Sequence, residues 1–167
     1  MSDIKSSIEA AVAYLTEHPQ EARYTDSPAT AVLEEGLRIR VTDPDGQVVV
    51  TDMPTSVGGG GQGPSPGWLM RAALASCEAM MIAMVAAQAG VHLDRLEVSV
   101  DSESDDRGIL GMLPDVPSGP LSVRVRVSIQ SSGERLGDIV RDATTRCPVH
   151  DAVARAVPVS VQTATAP

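Results

Sequence analysis

Residues 68–88 constrain the fold more than any other part of the chain. Only Arg71, Glu78 and Gln88 interrupt an Ala- and Met-rich apolar surface, and Gly90 ends the run. The pattern predicts one helix of about 22 residues, about 33 Å long at 1.5 Å per residue. A compact domain of 167 residues is about 40 Å across by the usual radius scaling. A helix apolar nearly all round must be covered nearly all round. It is therefore expected at the centre, enclosed by sheet or by a second subunit. A membrane span is not expected, because alanine contributes little to insertion and Glu78 sits mid-segment.

What covers this helix must be built from small side chains. The chain has 20 Ala and 21 Val, one Trp, two Tyr and no Phe. Such a core buries little area per residue, which favours close helix packing and a partner chain. The net charge is −9, and Lys5 is the only lysine beside twelve arginines. That balance argues against a nucleic-acid or anionic-membrane surface. The first 18 residues carry Asp3, Glu9 and Glu17 without a basic start or a continuous apolar stretch, so no secretion signal is expected there. A cytoplasmic location follows as an expectation. Two cysteines make no disulfide scaffold, and in a reducing compartment a bond between them would be transient and chemical.

Before the long helix, Ile4, Ile8, Ala11, Val12 and Leu15 recur at helical spacing, with Ser6 and Glu9 as a capping box one turn in and Pro19 as a stop. A strand near residues 30–34 follows. Leu37, Ile39 and Val41 then alternate with Arg38, Arg40 and Thr42, and Asp43-Pro44-Asp45-Gly46 turns the chain into a hairpin partner over residues 47–51. The glycine run at 58–61 lacks the Lys-Ser or Lys-Thr of a phosphate loop and reads as a flexible linker. After the long helix, Leu96, Val98 and Val100 alternate as a strand. Residues 105–120 read as a loop whose tip, at 109–113, is apolar. Leu121, Val123, Val125, Val127 and Ile129 alternate without a break. Leu136, Ile139, Val140, Ala143 and Cys147 follow helical spacing, Pro148 opens a further helix to Ala156, and Val157, Val159 and Val161 suggest an edge strand. The expected order βββ-α-ββ-αα-β makes the class α+β.

Chemistry is concentrated in few residues. Cys77, mid-helix, has Met80, Met81 and Met84 at three, four and seven residues, an apolar sulfur-rich wall suited to an organic substrate or simply to filling core. Cys147, before Pro148, falls at an expected N-cap, where free N–H groups and the helix dipole favour a thiolate. Two inward thiols form a plausible redox pair. His150 in Cys147-Pro-Val-His150 leaves two alternatives open: Cys77, Cys147 and His150 as three zinc ligands, or a Cys–His nucleophile pair.

The motifs Gly63-Pro-Ser-Pro66-Gly-Trp-Leu69 and Ala72-Ala-Leu-Ala-Ser-Cys77, followed by Cys147-Pro-Val-His150, resemble the OsmC/Ohr family over about residues 29–161. The resemblance implies an OsmC-like domain at 29–167 after an N-terminal helix and linker at 1–28. It further implies an intertwined homodimer whose central helices are wrapped by sheet from both chains, and thiol-dependent reduction of organic hydroperoxides by Cys77 as peroxidatic and Cys147 as resolving cysteine. An external dithiol would be the reductant, and no cofactor is implied because sulfur carries the electrons. The family's catalytic arginine comes from the N-terminal hairpin, where Arg38 is the nearest match and Arg40 the second. The glutamate that holds it, ten residues before the first cysteine, is replaced by Gly67, and Glu78 beside the thiol is not a usual feature. An unpaired carboxylate there would disfavour the thiolate. The alternatives are a binding protein of the same fold for an apolar ligand, or a Cys/Cys/His metal site.

Overall fold

The computed structural model describes residues 3–164; the outermost residues of the two expected domains, 1–2 and 165–167, lie outside them. The first helix, α1 (Ile4–Glu17), is capped by Asp3, which accepts from Lys5 N at 3.2 Å, and Ser6, one turn in, instead donates its hydroxyl to Asp3 O. A single turn of 3-10 helix follows at Pro19–Glu21. The chain then forms a three-stranded antiparallel sheet of β1 (Thr30–Glu35), β2 (Arg38–Thr42) and β3 (Val48–Thr51), with β2 in the middle. The Asp43–Gly46 turn behaves as its residues demand: Asp43 Oδ1 accepts from Gln47 N at 2.8 Å, and Gly46 takes the positive φ of 85°.

The central helix, α2 (Pro66–Gln88), starts at a Ser-Pro signal. Ser65 Oγ accepts from Trp68 N at 3.2 Å, and Pro66 takes the first position, where its missing N–H costs nothing. It stops at Gly90, whose φ of 70° lets Gly90 N donate to Ala87 O and Val91 N to Ala86 O. Strands β4 (Arg95–Glu103) and β5 (Ser122–Gln130) pair antiparallel along nine registered residues as a second sheet. Between them the expected loop carries one short helix, α3 (Asp106–Ile109), while Ile109, Leu110, Met112 and Leu113 stay exposed.

Helices α4 (Leu136–Arg146) and α5 (Pro148–Ala154), strand β4 and helix α1 all pack against α2. The core is Ile82, Val85 and Ala86 of α2 with Ile139 and Ala143 of α4, extended by half-buried Leu96, Val98, Val127 and Ile129 from the sheet. This gives the α+β architecture expected of the element order.

Two expectations fail. The glycine run is not a flexible linker: the loop folds around the buried carboxylate of Asp52, which accepts from Met53 N (2.7 Å), Gly60 N (3.1 Å) and Gln62 N (3.1 Å). These backbone donors, Gln62 N foremost, hold Asp52 below the ordinary carboxylate range. Val157, Val159 and Val161 form no strand, and α5 ends at Ala154, two residues short of the expected Ala156. A strand needs a ladder partner, Pro158 removes one donor, and Val159 stands 86% exposed. The cover of α2 is also one-sided within a single chain. Ala73, Ser76 and Met80 form an open stripe along it, and β1 is exposed throughout.

Candidate functional site

Cys77 and Cys147 meet where α2 passes the junction of α4 and α5. Helical spacing on α4 carries Ile139, Ala143 and then Cys147 inward, and Cys147 is 0% exposed. It is at once the C-cap of α4 and the N-cap of α5, its Sγ accepting from His150 N at 3.4 Å. Cys77 is half-buried, and both thiols are free. The two side chains are near enough for Cys77 to help raise the Cys147 thiol's hold on its proton. The N-cap position predicted for Cys147 is observed, but its expected consequence is reversed. Burial pushes the Cys147 thiol up to about 11, with Cys77 and Glu78 adding to the rise, and the donated His150 N–H offsets only part of it.

Glu78 is not an unpaired carboxylate. It is 1% exposed, its Oε1 lies 2.7 Å from His150 Nδ1, and its Oε2 accepts from Thr144 Oγ1 at 3.2 Å. His150 in turn borders a cavity of about 330 Å³ lined by Leu74, Val123, Val125, Val153 and Ala154. Among the described residues no group of three or more His, Cys, Asp and Glu side chains is placed to hold one metal ion, so Cys77, Cys147 and His150 are not assembled as a zinc site.

The other expected site residues are dispersed. Arg38 and Arg40 both fork onto Glu34, at 2.9 and 2.5 Å, which holds that carboxyl low; among the described residues neither pairs with the thiol site. Met80, Met81 and Met84 do not form one wall. Met80 is 58% exposed on the open stripe, whereas Met81 packs on the core and Met84 is half-buried. The apolar tip at 109–113 does not cover them. Ile109 instead borders a second cavity, about 300 Å³, with Met70, Arg71 and Gly67 at the N-terminal end of α2. A Cβ on Gly67 would stand 3.8 Å from an Arg71 guanidinium nitrogen, so the nearest cation to that position is on the same helix. Among the described residues Arg71 reaches only Ser102 Oγ, at 3.2 Å.

Comparison with known proteins bears on the family and the fold. The family model described as OsmC-like protein matches residues 59–162, more than half of the chain and both cysteines. The chain belongs to the OsmC-like family. Its fold is shared by an OsmC-like protein from Mycoplasma pneumoniae, 18% identical, covering 79% of this chain and 89% of that one with a TM-score of 0.67. It is also similar to an organic hydroperoxide resistance protein OsmC from Legionella pneumophila, at 22% identity, 79% and 90% coverage and a TM-score of 0.55. The organic hydroperoxide resistance protein OhrB of Bacillus subtilis is 20% identical, with 77% and 90% coverage and a TM-score of 0.51. No curated protein matches the sequence. At these identities the OsmC-like structures establish the fold of the chain, while its chemistry must be argued from its own residues.

Two features of this OsmC-like site escape the sequence pattern: the Glu78–His150 contact and the placement of Arg71. Glu78 and His150 were each visible singly, but nothing in local spacing joins residues 72 positions apart.

Proposed function

We propose that the protein is a thiol-dependent peroxidase that reduces organic hydroperoxides through Cys77 and Cys147. One observation carries this reading: a half-buried thiol on the central helix lies near a fully buried second thiol, close enough to raise that thiol's hold on its proton. Cys77, the more accessible of the two, is the attacking thiolate. Its sulfur takes the distal peroxide oxygen, the O–O bond breaks, and the alkoxide leaves as an alcohol after gaining a proton. The Cys147 sulfur then attacks the Cys77 sulfenic acid, forming the disulfide and releasing water. An external dithiol returns both thiols. Family membership supports the reaction class, and the cytoplasm is the compartment in which such a pair is re-reduced.

The working form is a homodimer. The exposed stripe of Ala73, Ser76 and Met80 on α2, and the exposed strand β1, are surfaces that a second copy would cover.

The second reading is a binding protein of the same fold for an apolar ligand. It is favoured by Gly67 in place of the family glutamate and by the largely apolar cavity beside His150. Mass spectrometry after one equivalent of cumene hydroperoxide separates the two. A Cys77–Cys147 disulfide is the expected product, and reduced protein after that treatment favours the binding reading.

A further inference from the structure

Ten of the twelve arginines are seated on a carboxylate. The two others are Arg23, which is exposed to water ahead of β1, and Arg71, which is half-buried in the second turn of α2. A guanidinium carries five N–H donors, and one partly withdrawn from water needs partners for them. Among the described residues Arg71 has one, the Ser102 hydroxyl, which accepts from Nη1 at 3.2 Å.

The carboxylates nearby are engaged elsewhere. Asp52 shares a cavity of about 400 Å³ with Arg71, but its oxygens take the N–H groups of Met53, Gly60 and Gln62. Asp105 is forked by Arg107, at 2.9 and 2.5 Å. Asp106 is exposed and makes no ion pair among the described residues. Both of these acids border the 300 Å³ cavity that Arg71 lines with Ser102, and its apolar wall is built from Met70, Ile109 and Pro120. A few fixed polar groups against an apolar wall are what a small-molecule site requires. The Ser102 hydroxyl accepts from Arg71 and keeps its own proton to donate.

Gly67 keeps the guanidinium open. Its φ is not positive, and a Cβ there would meet only Arg71 Nη1 at 3.8 Å and Ser65 Oγ at 3.9 Å, ordinary contacts. Neither backbone nor crowding therefore demands glycine, which costs helix stability at this place. A long acidic side chain at 67 would reach the guanidinium and occupy it.

We propose that this cavity binds a small organic monocarboxylate. Arg71 holds the two oxygens in its planar fork, Ser102 donates to one of them, and the apolar body lies on Met70, Ile109 and Pro120. One guanidinium beside the charge of Asp106 balances a single negative charge, so a phosphate dianion is the poorer ligand. Ile109, otherwise 61% exposed, is covered by the bound molecule. The site stands whether or not Cys77 and Cys147 form a redox pair.

The test is calorimetric titration of the full chain with 4-phenylbutyrate. One molecule should bind per chain. The neutral 4-phenylbutanamide should bind at least about tenfold more weakly, because it forfeits the charge-assisted bonds. Acetate, which has the head without the body, should also bind at least about tenfold more weakly. Inorganic phosphate should not displace the probe. Arg71→Gln should lower the affinity at least about tenfold. Gly67→Glu should do so too, by setting a carboxylate on the guanidinium, whereas Gly67→Gln, equal in size but uncharged, should cost clearly less. If Arg71→Gln does not fold, the amide and the two Gly67 variants still decide. Equal affinity for acid and amide, or Gly67→Glu no worse than Gly67→Gln, overturns the site. So does the absence of saturable binding. If the probe does not bind and Arg71→Gln instead shifts the oligomeric state in sedimentation, the guanidinium belongs to a contact between subunits and the ligand site is refuted.

Discussion

Cys147 sits between two opposing influences. Its N-cap position offers hydrogen bonding to a thiolate, its burial penalises one, and burial is the larger effect. Its folded pKa of about 11 stands above the ordinary 9.0. A raised thiol pKa means that the folded state holds the proton more tightly than the unfolded state. The corresponding stability is complete below pH 9 and is lost as pH climbs towards 11. Cys147→Ser is therefore expected to flatten the alkaline fall in thermal stability between those values, measured by calorimetry. In the peroxidase cycle the same variant should complete one turnover and accumulate oxidised Cys77. Unchanged steady-state turnover with a dithiol would show that Cys147 is not the resolving thiol. Both cysteines and the inward direction of Cys147 could be read from the sequence, since helical spacing alone decides which way Cys147 faces. The thiol's charge state could not, because the burial that sets it is supplied by other elements.

At the scale of elements, local periodicity predicted well whatever is stabilised locally. Helix α2 was legible from its Ser65-Pro66 start and Gly90 stop, and β5 from its unbroken alternation. The glycine loop was misread because its order comes from Asp52, a carboxylate whose backbone donors lie one, eight and ten residues further on. Glycines there answer to crowding. A Cβ on Gly59 would stand 1.9 Å from Met53 O, closer than any packed pair tolerates. Gly59→Ala should therefore lower the melting temperature, whereas the same change at Gly137, where a Cβ meets open space, should not. In the core, Ile82→Ala is expected to cost about 2–5 kcal/mol by chemical denaturation, because Ile82 is fully enclosed between α2, α4 and the β4–β5 sheet. The valine alternation after α5 was equally clear to read, but a strand is a relation between two segments and this one pairs with none of the described residues.

For the whole molecule, the open stripe on α2 and the exposed strand β1 lead to the expectation of an obligate dimer. Sedimentation that finds a folded monomer at micromolar concentration would refute it. Substrate choice belongs at this scale too, since Met80 faces outward from α2 on the Cys77 side and gains an enclosed surface only when something covers it. An alkyl group buried there gains about 0.8 kcal/mol per methylene, which hydrogen peroxide cannot. Cumene hydroperoxide should accordingly show kcat/KM at least about tenfold above hydrogen peroxide with one reductant, three methylene equivalents being worth about 2.4 kcal/mol. Equal values would remove the apolar contribution. A last consequence lies in the joint between α4 and α5, where one sulfur both ends a helix and begins another. When that sulfur is pulled into a bond with Cys77, the His150 amide loses its acceptor, and the first turn of α5 should open to solvent. Amide hydrogen exchange at His150 should then be faster in the oxidised protein than in the reduced one. The fold would in this way convert the redox state of a buried atom into a change that another molecule can sense at the surface.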